Sequence, residues 1–330
     1  MAKILVTGGM GFLGSHLIEQ LLDQGHEVTI IDNMSTNAVD KDFFKGRAEL
    51  ITKSIQEADF SRLGKCDFLY HLACVVGPSG ILKHAGRMGL DIMLDTKILN
   101  DFCIKNDAKM IDISTSEVYG QSGFISEESD KHIPGTVAVR TEYGAGKLLA
   151  EIMTINRAKV EPKLKYHIIR PFNISGPRQK PDNGFVLPRF VISALTNQPI
   201  TVFGDGSQER AFTHVKEISS GIISIANSRF ENESWNVGNP YNRTTILNLA
   251  KMVQEETRKM HPDKDPKIVF VDGKKIHGPL FEEVPDKLPH IDKIKSKVGW
   301  EPKVPLRQVV KETIQYYEPL VKKGFHYKMI

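Results

Sequence analysis

The sequence is poor in the features that would set it apart from ordinary folded enzymes. Three cysteines, Cys66, Cys74 and Cys103, cannot all pair, which excludes a disulfide scaffold and makes a reducing compartment the simpler expectation. No run approaches the roughly 18 uninterrupted apolar residues of a membrane helix. Met1-Ala2-Lys3 passes directly into an apolar strand, without the longer apolar region and small-residue cleavage site of a secretory signal, so a cytoplasmic protein is expected. Net charge is nearly absent: 44 basic against 40 acidic residues leave +4, too little for a nucleic-acid or membrane footprint. Internal repeats and low-complexity tracts are missing, and Gly 26 and Pro 17 exclude collagen-like or disordered chains. What is present is 40% hydrophobic residues in 330, enough for one large α/β unit carrying a lobe or for two domains.

The pattern along the chain is that of alternating strands and helices. Ile4-Leu5-Val6, a helical period from Phe12 to Gln24 and the run Glu27 to Ile31 complete a βαβ unit, whose crossover makes the strands parallel. Further strands are expected near 49–52, 67–71, 109–114 and 165–170, with helices near 91–106 and 142–159. This describes a doubly wound sheet covered on both faces, over residues 1–170. Beyond Arg170 the prolines at 171, 177, 181, 188 and 199 and the glycines at 204 and 206 mark a smaller, loop-rich lobe over 171–330, with some segments returning to the first domain. The Lys/Asp mixture of 262–303 reads as a solvated face.

Two motifs carry chemistry. Thr7-Gly8-Gly9-Met10-Gly11-Phe12-Leu13-Gly14 follows a strand and opens a helix, where glycines let a pyrophosphate approach backbone N–H groups at the helix N-terminus. Asp32 stands eighteen residues after Gly14, at the end of the second strand, where a carboxylate accepts both ribose hydroxyls. The second motif joins Ser114-Thr115-Ser116-Glu117-Val118-Tyr119-Gly120 to Tyr143-Gly144-Ala145-Gly146-Lys147. Tyr143 and Lys147, four apart, share one helical face, and an ammonium beside a phenol lowers its pKa and makes it a proton acceptor. Taken alone such a pair is an ordinary helix surface; its meaning comes from the nucleotide turn beside it.

In these motifs the chain resembles the extended short-chain dehydrogenase/reductases, the NAD-dependent nucleotide-sugar epimerases, dehydratases and decarboxylases. Further matching segments are His71-Leu72-Ala73, Arg170-Pro171-Phe172-Asn173, Gly204 to Arg210, Asn236-Val237-Gly238 and Gly299-Trp300-Glu301-Pro302. The resemblance implies a Rossmann fold and NAD held by Gly8, Gly11, Phe12, Leu13, Gly14, Asp32, Asn33, Leu72 and Ala73. It makes Tyr143 the base, Lys147 its partner and the holder of the nicotinamide ribose, and Thr115 the group on the reacting sugar oxygen. Ser116, Asn173, Leu187 and Arg210 fall on the nucleoside-diphosphate sugar. A homodimer through helices 91–106 and 142–159 is also implied, using Ile92, Met93, Leu94, Ile98, Leu99 and Phe102.

The departures divide the family. Ser54 stands where many relatives place an aspartate against the adenine amine, and Lys287 where many place a nucleotide-binding arginine. Lysine keeps the charge and loses the planar fork. His290 reads as a surface or packing residue, and no metal site is expected. Val76 to Gly80, ahead of Lys83, lies where substrate loops run. Glu117 resembles the residue that dehydratases and uronate decarboxylases use for a proton at C5 or C6, while Ser116 replaces the aspartate of the dTDP-glucose 4,6-dehydratases. The expectation is 4-epimerisation through a 4-keto sugar, with 4,6-dehydration or uronate decarboxylation using Glu117 as the alternative. A non-catalytic NAD-binding scaffold is the remote one, opposed by the intact Thr115, Tyr143 and Lys147.

Overall fold

A computed structural model describes residues 1–120, 123–129, 131, 139–273 and 286–325. In chain order it contains β1 (Lys3–Thr7), α1 (Phe12–Asp23), β2 (Glu27–Ile31), β3 (Glu49–Ile51), β4 (Phe68–His71), α2 (Pro78–Lys83), α3 (Met88–Asn106) and β5 (Lys109–Ile113). Then come β6 (Gly123–Ile125), α4 (Val139–Val160), β7 (Lys165–Pro171), β8 (Ile174–Ser175), α5 (Val186–Leu195), β9 (Ile200–Phe203), β10 (Glu209–Ala211) and β11 (Thr213–His214). The described chain closes with α6 (Val215–Ala226), β12 (Glu233–Val237), β13 (Arg243–Thr245), α7 (Ile246–Met260), β14 (Ile268–Val271), β15 (Lys287–Pro289), α8 (Asp292–Val298) and α9 (Leu306–Lys322). Of the lysine-rich stretch 262–303, residues 274–285 lie outside the described residues.

Seven strands form one parallel sheet in the order β12-β7-β5-β4-β1-β2-β3. The pleat sends Ile4 and Val6 into a core with Leu17, Ile18, Ile218 and Trp235, and Leu5 into the opposite one with Leu99, Phe102 and Met110. Both faces are therefore covered, which is why the strands read as nearly continuous apolar runs. The chain leaves β1 toward β2 on one side and returns to β4 on the other, so the carboxyl ends of β1 and β4 open a crevice at the switch point. A separate cluster joins α5, α7 and α9 through Leu187, Phe190, Val253, Val309 and Ile314. The strand β12 and helix α6, both beyond residue 171, pack on the large sheet. A four-stranded sheet, β13-β10-β15-β6, bridges the two regions.

Helix α3 begins at Met88, three residues before the start expected from periodicity. The Glu142 carboxylate, on α4, accepts the N–H groups of Gly86 at 2.6 Å and Gly89 at 3.0 Å. It thus satisfies donors that local sequence leaves open, next to the positive end of the helix dipole.

Candidate active site

Backbone forms one wall of the site. Gly8 sits at φ +73°, and a Cβ there would lie 2.6 Å from the nitrogen of Ala73; a Cβ at Gly14 would lie 2.3 Å from the Gly8 carbonyl oxygen. Only glycine lets the turn after β1 lie against Leu72-Ala73 after β4 while α1 starts beneath it. Asp32 is 8% exposed and anchored by the N–H groups of Met10 at 2.9 Å and Met34 at 2.8 Å; burial pushes its carboxyl pKa up. Asn33 turns its Oδ1 to the Ser35 N–H at 3.0 Å. A glycine cradle that a Cβ would fill, followed by a fixed carboxylate, fits the pyrophosphate and ribose of a dinucleotide. Ser54 lies in the same cavity, but Glu57 accepts both its hydroxyl at 2.6 Å and, as in a capping box, its backbone N–H at 3.2 Å.

On the next wall Tyr143 is buried and its phenol shares a hydrogen bond with Thr115. The Thr115 hydroxyl also accepts the Glu117 N–H at 3.2 Å, which fixes the turn after β5. Lys147 is 3% exposed and donates to the Ile113 carbonyl at 2.8 Å. This corrects one expectation from the sequence: burial holds the Tyr143 pKa well above its ordinary value, with Cys74, Glu117 and Asp112 adding to the rise. Loss of hydration is the largest cause, and the Lys147 ammonium donates to a backbone carbonyl.

Side chains from distant segments form the third wall. Lys287 reaches the Glu117 carboxylate at 2.7 Å, so the lysine expected on the nucleotide meets the residue that divides the family. Strand β15 makes this possible: Lys287 is in register with Gly123 of β6 on one side and Arg210 of β10 on the other. Arg210 donates to the Glu209 carbonyl at 2.6 Å and lies 3.8 Å from Asp286. Asn173, at φ +34°, donates to the Ala211 carbonyl at 3.4 Å, and Leu187 is buried in α5. Phe12, Leu13, Ser116 and the residues of all three walls border one cavity of about 900 Å³. Sequence reasoning missed Arg189, two positions after Leu187, whose guanidinium lies 4.6 Å from the Phe203 ring centre at the same cavity.

Below the cavity floor lies a buried polar chain that sequence reasoning also missed. Arg170 makes a paired contact with Glu151 at 2.9 and 2.5 Å, and Ser114 donates to Glu151 at 2.5 Å. Arg170 also donates to Tyr119 at 2.9 Å, whose hydroxyl donates to Asn236 at 2.7 Å. The available signal was Glu151 four residues after Lys147, on the same helical face. His290 is exposed, 3.4 Å from Asp292, and no cluster of metal-ligating side chains occurs among the described residues. None of the described helices is long and apolar enough to cross a membrane.

A glycine-turned Rossmann sheet with a cradle beside a Thr/Tyr/Lys wall defines a dinucleotide-binding class of site. The model of the NAD dependent epimerase/dehydratase family matches residues 4–238. A UDP-N-acetyl-alpha-D-glucosaminuronate decarboxylase of Bacillus cytotoxicus is 32% identical over 96% of this chain and 98% of its own length. UDP-glucuronic acid decarboxylase 1 of Danio rerio is 31% identical over 96% of this chain and 72% of its own. Among solved structures, the UDP-glucuronic acid 4-epimerase of Bacillus cereus in complex with UDP-glucuronic acid and NAD has a TM-score of 0.82 at 28% identity, over 96% of this chain and 99% of that one. The chain belongs to the NAD-dependent epimerase/dehydratase family, and it is an NAD-dependent enzyme.

Proposed function

We propose that this enzyme acts on a UDP-linked hexuronate, oxidises its C4 and releases its C6 carboxyl as CO₂. The observation that carries the reading is the Glu117–Lys287 pair at 2.7 Å inside the cavity that also contains Tyr143. A 4-epimerase works on one carbon and needs one proton-handling group beside it. A 4-keto uronate is a β-keto acid: loss of CO₂ leaves an enolate spanning C4 and C5, and C5 must then receive a proton. A second, charge-paired group serves that step, whereas at an epimerase centre it has no task. The two decarboxylases and the Bacillus cereus epimerase also share a uronic acid substrate in their names.

In this reading Tyr143 takes the proton of the C4 hydroxyl, Thr115 hydrogen-bonds the same oxygen, and Lys147 would hold the nicotinamide ribose and, with the positive charge that NAD⁺ brings when bound, offset the burial that raises the phenol pKa. When bound, NAD supplies the acceptor for the C4 hydride. Gly8, Gly11 and Gly14 would hold its pyrophosphate and Asp32 its adenosine ribose, with Leu72 and Ala73 closing the cradle. Arg210, Asn173 and Arg189 offer a guanidinium, an amide and a second guanidinium for the sugar diphosphate. Glu117 and Lys287 handle the proton at C5. Epimerisation, first in order on the sequence alone, becomes the second reading and is supported by the likeness to the uronate 4-epimerase.

The outer faces of α3 and α4 leave Leu90, Leu94, Leu149 and Ile152 exposed, while Ile92, Leu99 and Phe102 are buried in the subunit itself. We propose that the exposed four form a homodimer contact; light scattering at micromolar concentration tests it, and a monomer contradicts it. The reaction is tested by incubating the enzyme and NAD with UDP-glucuronate, UDP-N-acetylglucosaminuronate and UDP-glucose, with product analysis by NMR. A UDP-pentose or its 4-ketone from a uronate supports the proposal. A 4-epimer that keeps its carboxyl supports the second reading.

A further inference from the structure

Besides Glu151, which is held by Arg170 and Ser114, Asp112 of β5 is a buried carboxyl near Lys147 that the proposed chemistry does not use. It is 1% exposed, and its Oδ1 has no hydrogen-bond partner among the described residues. Such a group is costly in a strand interior unless a charge offsets it. Its position is defined by the sheet. Asp112 is in register with His71, and His71 with Thr7, so three polar side chains form a row on one face of β5, β4 and β1. The row is tied at one end, where the Thr7 hydroxyl meets His71 Nδ1 at 2.8 Å. Met110, two residues earlier in β5, packs among Leu99 and Phe102 of α3, so this face is the one that α3 and α4 cover. The residue after Asp112 is Ile113, whose carbonyl accepts the Lys147 ammonium.

We propose that Asp112 is a positioning residue of the reaction, a buried carboxyl that acts through Lys147 to set how readily the Tyr143–Lys147 pair gives up a proton. The inference rests on the reading above, in which those two residues carry the C4 proton. The groups facing it are Lys147 and Glu151 from α4, His71 from β4, Cys74 from the loop after β4, and Tyr143 itself; β7 sets Ile168 opposite it. Asp91 and Asp95 of α3 act on Cys74 in the same region. Lys147 favours the Asp112 carboxylate, while burial and Glu151 oppose it, and the balance places its pKa at about 6. The carboxyl thus changes charge at the lower edge of the neutral range. Its negative charge raises the Tyr143 pKa by repulsion and offsets part of the Lys147 charge.

The sign follows. Above its own pKa Asp112 holds Tyr143 protonated to higher pH; without the charge the phenol ionises more easily. Asp112→Asn, nearly isosteric, should move the acid limb of kcat/KM to lower pH by about 0.5–1 unit, the range of a charge acting across a partly compensated interior. Asp112→Leu removes the same charge without leaving an amide to satisfy, and should move the limb the same way. Two readouts do not depend on turnover, and both use the NAD-loaded enzyme. In the difference between wild-type and Asp112→Asn spectra, the infrared band of a neutral buried carboxyl should fade between pH 5 and 8; Asp95, also raised to about 6, cancels in that difference. The ultraviolet titration of the Tyr143 phenol, taken as the difference from Tyr143→Phe, should shift downward in Asp112→Asn. A limb and a phenol titration that stay in place, or move upward, overturn the proposal. If Tyr143→Phe keeps wild-type turnover, the base assignment fails, while the phenol and infrared titrations still decide the role of Asp112.

Discussion

The two sides of the cavity are built by different means. The nucleotide side is backbone: Gly8, Gly11 and Gly14 within one turn, with Asp32 held by two N–H groups. The opposite side, where we place the sugar, is charged side chains: Glu117 from the turn after β5, Arg189 from α5, Arg210 from β10 and Lys287 from β15. A backbone wall tolerates no Cβ, and so it is written in contiguous spacing. A side-chain wall tolerates many residues in many places, so its chemistry varies while the fold stays the same. In the proposed reading the first wall carries the family and the second the choice of reaction.

Substitutions can break this contrast. The largest effect belongs to the residue between the walls: Tyr143→Phe should lower C4 oxidation by roughly 10²–10⁴-fold while NAD affinity stays near that of the wild type. Cofactor reduction at 340 nm and calorimetry read the two quantities, and wild-type reduction would remove Tyr143 from the mechanism. Next, Gly8→Ala places a Cβ 2.6 Å from the Ala73 nitrogen at φ +73°. Strain and overpacking together should cost about 2–4 kcal/mol. Thermal melts should show this loss with weakened NAD binding; an unchanged melt would mean that the turn relaxes.

The sugar wall should respond differently. Lys287→Met should leave NAD affinity nearly intact and lower the melt through the loss of its pair with Glu117, while lowering turnover of a uronate by roughly 10–100-fold, a differential loss of about 1.4–2.7 kcal/mol. An equal loss of NAD binding would place Lys287 on the cofactor instead. Ser54→Ala is the smallest change. The hydroxyl caps a solvent-exposed 3₁₀ turn through Glu57, so stability should fall by about 1 kcal/mol or less and NAD affinity by less than about threefold. A tenfold loss in NAD affinity would show that Ser54 does the work of the aspartate it replaces.

Legibility in the sequence followed the same division. The βαβ unit, the glycine turn and Asp32 were readable because 3.6-residue and two-residue periods and fixed spacings record them locally. Tyr143 and Lys147 were readable as an i,i+4 pair, but the direction of the phenol pKa was not, because it follows from burial among Ile81, Met88 and Ile92, which are distant in sequence. The partner of Lys287 was hidden, since the pairing of β15 between β6 and β10 joins residues far apart in the chain. Glu151 looked like an ordinary charged residue of a helix, and Arg170 stood in a matching segment without a partner assigned. Only the packed sheet shows them as a nearly inaccessible pair beneath Ser114.

The most direct test of the central claim is the fate of C6. UDP-glucuronate labelled with ¹³C at C6 is incubated with enzyme and NAD, and gaseous label is measured against substrate consumed. The proposal predicts labelled CO₂ in one-to-one stoichiometry, with a UDP-pentose or its 4-ketone in solution. Complete retention of the label in a UDP-hexuronate epimerised at C4 would contradict it.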